Sequence, residues 1–212
     1  MKRKLFIVGI LILTISTYSQ STKIKFGLKG GINLFNFRIE QPEKHLKTEI
    51  NSNFNVGFFT GIFVNYSFTD KIQIQIEPNF QKKQTEISYF FKPGIDISNN
   101  QTSNEQNEKY KFSEYSIENP LVIRYSINEK IKIEGGFNII YIFKEKYSEP
   151  VNFGSNKTTF DVNEFETGLI IGGIYNLSQK IVFNLRYNYS LNEKRGSLLN
   201  KRIINIGLEY TI

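Results

Sequence analysis

The sequence lacks cysteine and tryptophan, and its 212 residues include one histidine and one methionine. Without cysteine the chain can form no disulfide, no thiolate zinc site and no cysteine nucleophile. The one imidazole, that of His45, excludes metal sites that need two histidines. We therefore expect a protein without a metal, a cofactor or a catalytic centre.

A long hydrophobic run is also missing after residue 20, because no later stretch approaches the ~20 apolar residues of a membrane-spanning helix. Before it, residues 2–4 are basic, residues 5–15 (LFIVGILILTI) are apolar, and residues 17–19 (TYS) have small residues at a cleavage position. We predict a signal peptide at 1–19, cleaved after Ser19, and one domain at 20–212. The alternative is an uncleaved signal anchor, which the short apolar run disfavours.

The charge of the exported chain is mild. Removing the three basic residues lowers the formal net charge from +7 to +4. This value does not predict nucleic-acid binding, and an exported protein would not meet nucleic acid. We expect no nucleic-acid partner.

Aromatic residues are abundant, with 19 Phe and 12 Tyr. Such a composition, together with many Ile, Asn and Thr, favours strands and polar turns over helices. A single unit of this length is common among all-β barrels.

Apolar and polar residues alternate along much of the chain. The segments KIQIQIEPNFQ (71–81), IVFNLRYNYSL (181–191) and INIGLEYTI (204–212) each have one oily face and one polar or glycine face. Eight such strands are predicted, at residues 24–35, 54–68, 72–85, 111–127, 131–143, 160–177, 181–191 and 202–212. Alternation alone fits a soluble barrel with an oily interior or a membrane barrel with an oily exterior.

Strand and loop lengths favour the membrane barrel. Most predicted strands reach the ~9–11 residues that cross a bilayer, whereas soluble strands usually have ~5–6. The long connections (36–53, 86–110, 144–159 and 192–201) alternate with short turns, as external loops and periplasmic turns do in outer-membrane barrels.

The three short turns share one motif. They read YSFTDKI (66–72), YSINEKI (125–131) and YNLSQKI (175–181). The tyrosine falls on the outward face, where its ring meets acyl chains and its hydroxyl meets headgroups, and the lysine can extend to the same interface. We predict a membrane-interface girdle at the periplasmic end, formed by Tyr66, Tyr125, Tyr175, Lys71, Lys130 and Lys180.

Several segments, in order, resemble one known family. They are FGLKGGINL (26–34), IEPNFQKKQ (76–84), YSIENPLVIRYSI (115–127), EGGFNIIYIF (134–143) and ETGLIIGGIYNLSQKIVFNLRYNYSL (166–191). Together they resemble the porin or PorT-like outer-membrane β-barrel family of Gram-negative bacteria. The resemblance implies an eight-stranded antiparallel up-and-down transmembrane β-barrel, inserted as a monomer by the outer-membrane assembly machinery. It also implies outer-membrane lipid and lipopolysaccharide as surroundings, with other envelope or secretion proteins as further partners.

Charged residues collect on the inward face of the predicted strands. An eight-stranded barrel has an interior that side chains just fill, so these charges are expected to pair in a plugged core. The alternative is a narrow gated pore or an ion path. The predicted interior polar network is Lys25, Lys29, Glu77, Glu118, Arg124, Lys132, Glu134, Glu166, Arg186 and Glu209, and Glu164 shares its parity.

The leading functional hypothesis is a non-enzymatic porin-like barrel with an envelope structural or surface-interaction role and at most restricted conductance. The alternatives are a PorT-like component of a secretion apparatus, a lipid-modifying enzyme using His45, and a soluble lipocalin-type carrier. Glu164 and Glu166 as an acid/base pair are a further, weaker possibility. A final hypothesis places lipopolysaccharide phosphates at four basic residues around the last long loop, Lys194, Arg195, Lys201 and Arg202.

Overall fold

The structure, a computed structural model, describes residues 23–39, 48–91, 95–96, 101–102, 106–148, 157–191 and 199–212. Among these residues no helix is long and apolar enough to cross a membrane. The predicted signal peptide with its cleavage after Ser19, and also His45, Lys194 and Arg195, lie outside the described residues. The strands are β1 (Ile24–Ile39), β2 (Thr48–Ser67), β3 (Ile72–Ile76), β4 (Asn79–Phe91), β5 (Ile95–Asp96), β6 (Gln101–Thr102), β7 (Gln106–Ser126), β8 (Ile131–Ser148), β9 (Lys157–Asn176), β10 (Ile181–Ser190) and β11 (Leu199–Thr211).

The sheet closes on itself into a ring of eight antiparallel strands. Each wall strand pairs with the next along the chain, and β1 closes the ring by pairing with β11. β3 and β4 together form one wall strand, because both pair with β2 on one side and β7 on the other. The small β5–β6 pair stands apart from the ring. Closure leaves no open sheet edge, which lipid requires of a spanning sheet.

The wall strand breaks between β3 and β4 where proline interrupts the ladder. Pro78 lies at the break, and Pro120 of β7 faces it from the neighbouring strand. Proline has no N–H to donate, so the regular pairing stops at this level. Two backbone bonds still cross the break, Ile62 N to Pro78 O at 3.1 Å and Glu77 N to Pro120 O at 3.0 Å.

The outer face of the barrel carries a continuous apolar band next to the short turns. On β3–β4 the band runs from Ile72 to Phe80, and on β10 from Ile181 to Leu191. Its height of about 9–11 residues per strand matches a tilted membrane strand. The inward positions at the same levels hold charged and amide side chains. A soluble lipocalin-type carrier would have the opposite distribution, so the fold is that of a transmembrane barrel.

The strands continue beyond the band, away from the short turns. This distal part comprises residues 35–39, 48–55, 82–91, 106–114, 144–148, 157–164 and 199–203. Its outer face is mainly polar. Its inner face holds buried charged residues, among them Lys83 and Lys201, and a hydrophobic cluster of Phe35, Phe37, Ile87, Phe112 and Ile203, against which Ile50, Tyr89 and Tyr147 pack. The distal part is therefore built like a water-soluble β-barrel.

The predicted strands were too short at this end. β2 begins at Thr48 and not at 54, β7 begins at Gln106 and not at 111, and β8 ends at Ser148 and not at 143. Three register shifts lie near these ends: Phe54/Phe58, Tyr115/Ser116 and Ile142/Lys144. Those in β2 and β8 each insert one residue that reverses which positions face inward, so in these two strands the two-residue alternation is interrupted in the sequence.

The three short turns have the same hydrogen bonds, which explains their shared motif. The fourth position of the motif is Thr69, Asn128 or Ser178, and its side-chain oxygen accepts bonds from two backbone N–H groups. For Asn128 Oδ1 these come from Lys130 at 2.9 Å and Ile131 at 2.8 Å, and the other two turns form the same pair. Such side-chain caps favour tight turns.

Candidate functional site

Six charged side chains meet in the middle of the barrel interior, at the height of the apolar band. None is more than 5% exposed. One inward residue from each of six wall strands reaches this level, because strand side chains alternate between the two faces. These residues, here called the central ion network, are Lys29 of β1, Glu77 between β3 and β4, Arg124 of β7, Glu134 of β8, Arg186 of β10 and Glu209 of β11.

Arg186 joins two carboxylates. Its Nη1 and Nη2 donate to the two oxygens of Glu77, each at 2.5 Å. Its Nη2 also donates to Glu134 Oε2 at 2.8 Å, and its Nε donates to Glu134 Oε1. Paired parallel bonds of this kind use the planar fork of a guanidinium, which lysine does not have.

Arg124 and Lys29 complete the pairing. Arg124 donates to both oxygens of Glu209, at 2.6 and 2.9 Å, and through Nε to Glu134 at 2.9 Å. Lys29 Nζ lies 2.8 Å from Glu77 and 3.1 Å from Glu209. Each of the three carboxylates therefore contacts at least two of the three cations, and the formal charge of the network is zero.

The wall leaves space for this network at Gly172 of β9. A Cβ added there would lie 2.8 Å from the Leu185 carbonyl oxygen and 2.9 Å from both Arg186 Cγ and Glu134 Oε1. These separations are far below van der Waals contact. A glycine is needed here because the two charged side chains pass directly over its backbone.

A second set of charges lies one layer further from the short turns. Lys83 Nζ is 2.9 Å from Glu114 and also bonds Glu118, while Lys201 Nζ is 2.5 Å from Glu114 and 2.7 Å from Glu166. All five side chains are buried. We call them the outer ion cluster. Each layer also includes an amide: Gln81 Nε2 donates to Glu118 of the outer ion cluster at 2.9 Å, and Gln75 Nε2 donates to Glu77 of the central ion network at 2.8 Å.

The family of the chain follows from its sequence match. A family model described as an outer membrane protein beta-barrel domain matches residues 18–194. The chain belongs to this family. It is thus an outer-membrane β-barrel protein, with the closed ring and oily exterior that this location requires.

Solved structures of other barrels are similar to this outer-membrane β-barrel. Neisserial surface protein A (NspA) of Neisseria is 12% identical, with 88% of this chain and 97% of that chain covered at a TM-score of 0.50. Ail, the attachment invasion locus protein of Yersinia pestis, is 15% identical, with 90% of this chain and 100% of that chain covered at a TM-score of 0.49. No curated protein matches the sequence.

The tyrosines of the predicted girdle stand at one level of the outer-membrane β-barrel. Each pairs in register with the first outward isoleucine of a neighbouring strand: Tyr66 with Ile24, Tyr125 with Ile72 and Tyr175 with Ile131. A fourth pair, Tyr210 with Ile181, completes the ring. Tyr210 was not predicted as a girdle residue, because no short turn follows it.

The girdle lysines also lie at this end. Lys71, Lys130 and Lys180 are exposed in the short turns, and their carbonyl oxygens accept bonds from the neighbouring hairpin or strand at 2.8 Å. Lys180 Nζ lies 5.8 Å from the centre of the Tyr210 ring. A cation over a ring in this way favours a defined headgroup-level position.

The residues of the predicted interior polar network lie in the central ion network, in the outer ion cluster or at the short-turn mouth of the barrel. Lys29, Glu77, Arg124, Glu134, Arg186 and Glu209 are in the central ion network, and Glu118 and Glu166 are in the outer ion cluster. Lys132 is half-buried near the short-turn mouth, where its Nζ donates to Gln73 at 3.0 Å. Lys25 is exposed at the same mouth, outside the network, because it is the second residue of its strand. Both lysines line a cavity of about 480 Å³.

Three members of the outer ion cluster were not predicted as interior residues, and one of them was wrongly placed. Lys83 and Glu114 have the inward parity of Glu77 and Glu118, so extending the alternation would have found them. Lys201 was assigned to lipopolysaccharide at the surface. It is 2% exposed and faces inward, since β11 begins before it, at Leu199.

The distal mouth contains the remaining candidate carboxylate. Glu164 is exposed in an opening of about 680 Å³, whereas Glu166 bonds Lys201 inside the wall. In the part of the chain that the structure describes, no three acidic or histidine side chains are arranged to hold a metal ion. Nearby, above the membrane-spanning segments, burial and the Glu145 carboxylate raise the pKa of Tyr147 above its usual range. Its hydroxyl therefore stays protonated and donates to Glu145 at 3.0 Å.

Proposed function

We propose that this protein is a non-enzymatic barrel whose filled interior prevents open conduction, and that it serves the envelope as a structural or surface-interaction protein. The observation that carries the proposal is the central ion network, which joins six wall strands across the interior. An ion crossing the barrel would have to separate Arg124 and Arg186 from their carboxylates. Breaking buried charge pairs costs several kcal/mol for each partner.

Two further layers support the same proposal. The outer ion cluster lies directly beyond the central ion network, and the hydrophobic cluster around Phe35 and Phe112 fills the distal part. An eight-stranded barrel has room for side chains alone at these levels. The interior therefore has the composition of a core and not that of a water-filled channel.

Planar-bilayer recording tests the closed interior. We expect the wild-type barrel to give no steady current above the bare bilayer, and the double variant Arg124→Ser/Arg186→Ser to give measurable current. The matched control Lys71→Ser/Lys130→Ser removes the same charge from the short turns and should stay closed. A steady open current from the wild-type protein would refute the closed-barrel proposal.

The distal part is proposed to form the surface that other molecules meet. Its packed interior and mainly polar exterior support a rigid extension standing clear of the lipid. The absence of native cysteine makes single-cysteine labelling unambiguous. In intact cells, a membrane-impermeant maleimide should label Thr159→Cys in β9. It should label Gln179→Cys, in a short turn, only after the outer membrane is permeabilised, and the reverse pattern would invert the proposed orientation.

Export and assembly are part of the same proposal. A signal peptide cleaved after Ser19 would deliver the chain to the assembly machinery, which would insert it as a monomer. N-terminal sequencing of the protein from the outer-membrane fraction should then begin at Gln20. An intact N-terminus at Met1 would instead support a retained anchor.

A PorT-like role in protein secretion is the second candidate, supported by the order of the family-like segments from 26–34 to 166–191. Deleting the gene and comparing secreted proteins separates the two candidates. Unchanged secretion with an altered envelope favours the structural role, whereas loss of a defined set of secreted proteins favours the secretion role. Lipid modification through His45 is least supported, and an unchanged lipid profile in His45→Ala cells would remove it.

A further inference from the structure

Three lysines lie side by side on the outer surface, where the apolar band meets the distal part. Lys82 of β4 and Lys144 of β8 are the register partners of Tyr115 on its two sides, so the three residues form one row. The Nζ atoms of Lys82 and Lys146 lie 5.9 and 5.3 Å from the centre of the Tyr115 ring. We call Lys82, Lys144 and Lys146 the lysine patch.

A bulge in β8 directs part of this patch outward. Ile140 and Ile142 are buried, so Lys144 would face inward if the alternation continued. The extra residue at Phe143 reverses the parity, and Lys144 then pairs with outward-facing Tyr115. Bulges often re-aim side chains at the rims of barrels.

The charge of the lysine patch is not neutralised within the described protein. None of the three ammonium groups has a described carboxylate within ion-pair distance, although Asp161 is the register partner of Lys144. The other nearby acid, Glu86, pairs with Lys109 at 3.4 Å. Two positive charges are thus held over the Tyr115 ring, and Lys144, the register partner of Tyr115, adds a third to this outward-facing positive surface.

The height of the lysine patch along the barrel determines which anions it can bind. Directly beneath it, the rings of Phe80, Tyr115 and Phe143 contact one another at 6.2–6.5 Å between centres and end the apolar band. Directly above it the outer wall is polar. The ammonium groups therefore stand at headgroup height, with an aromatic surface for acyl chains below them.

We propose that the lysine patch binds the phosphate groups of an outer-leaflet glycolipid of the lipid A type. The lysines would contact the phosphates, and the three rings would pack against the first acyl segments. An amphipathic anion matches this pairing of charge and apolar surface better than a soluble anion, which would use the lysines alone. The inference rests on the proposed function, since that function places the distal part outside the cell.

Native mass spectrometry of the folded barrel in detergent tests this site. The probes are diphosphoryl lipid A, the same lipid with both phosphates removed, and inorganic phosphate. The test variant is Lys82→Gln/Lys144→Gln/Lys146→Gln. The matched control is Lys71→Gln/Lys130→Gln/Lys180→Gln, which removes the same charge at the opposite end. Heat-modifiable gel migration confirms that each variant is folded.

We expect the test variant to bind diphosphoryl lipid A on the order of 100-fold more weakly than the wild-type barrel, from about fivefold per lysine. The control should bind like the wild type, and the phosphate-free lipid should bind weakly to all three proteins. Undiminished binding by the test variant, or equal loss in the control, would overturn the proposal. Inorganic phosphate competing as strongly as the lipid would identify a free-anion site instead.

The cysteine-labelling experiment separates this inference from the function on which it rests. If Gln179→Cys is labelled from outside the cell, the orientation is wrong and the patch faces the other leaflet. If the orientation is as proposed but the test variant binds lipid A as strongly as the wild type, the lysine-patch proposal alone fails.

Discussion

Replacing Arg186 with methionine removes the cation that joins Glu77 to Glu134 and keeps most of the side-chain volume inside the barrel. The arginine is 2% exposed, so water does not readily replace its bonds. After the change, Glu77 still contacts Lys29 at 2.8 Å and Gln75 at 2.8 Å. Glu134 keeps Arg124 alone, at 2.9 Å. The unpaired charge is thus concentrated on Glu134.

The size of the effect follows from this imbalance. Three carboxylates would face two cations in a site that excludes water. Removing one partner of a buried ion pair typically lowers the free energy of unfolding by about 3–5 kcal/mol. Glu134 loses more of its bonds to cations than Glu77 does. Adding Glu134→Gln to Arg186→Met should therefore make the double variant about 1–3 kcal/mol more stable than the sum of the single changes predicts.

Urea-induced unfolding in lipid vesicles measures these free energies, with the folded fraction taken from heat-modifiable gel migration. Lys71→Met, which removes an exposed lysine from a short turn, is the control and should change stability by less than about 0.5 kcal/mol. A decrease in the free energy of unfolding of less than about 1 kcal/mol for Arg186→Met would contradict this expectation. Additive effects of the changes at Arg186 and Glu134 would contradict it as well.

Three other substitutions test separate parts of the barrel by the same unfolding assay. Gly172→Ala should cost about 1–3 kcal/mol, because the new Cβ would lie 2.8 Å from the Leu185 carbonyl oxygen, whereas the adjacent Gly173→Ala meets no atom within 4 Å and should be nearly neutral. Phe112→Ala in the hydrophobic cluster should cost about 3–5 kcal/mol, and a loss below ~1 kcal/mol would show that the distal part is not packed. Asn128→Ala removes two turn bonds and should cost about 0.5–2 kcal/mol, while Asn128→Ser, which keeps an acceptor, should recover most of it.

The strands of the barrel wall could be predicted from the alternation of particular residues along the chain. In 72–81 every second residue is apolar, and these residues form the outer face, with Gln75 and Glu77 inside. The repeated turn motif located three hairpin ends, because a capping oxygen and a preceding tyrosine are local requirements. Tyr210 was overlooked since it has the same register but no turn after it.

The distal ends of the strands could not be predicted from the sequence in this way. The bulges around Phe143 and Phe58 reverse the alternation, and a reversed pattern in a polar sequence looks like a loop. Lys201 was misplaced for a different reason: the predicted strand began at 202, and β11, which has no bulge, begins at Leu199.

The sequence by itself determined the apolar and polar faces of the strands within the apolar band, because that division depends on alternation between near neighbours. Only the tertiary structure decided which interior charges pair. Arg186 and Glu77 are separated by 109 positions and meet only because the closed ring, its register and its tilt bring them to one level. The same holds for Lys82, Tyr115 and Lys144, whose row on the outer surface exists because three strands and one bulge align.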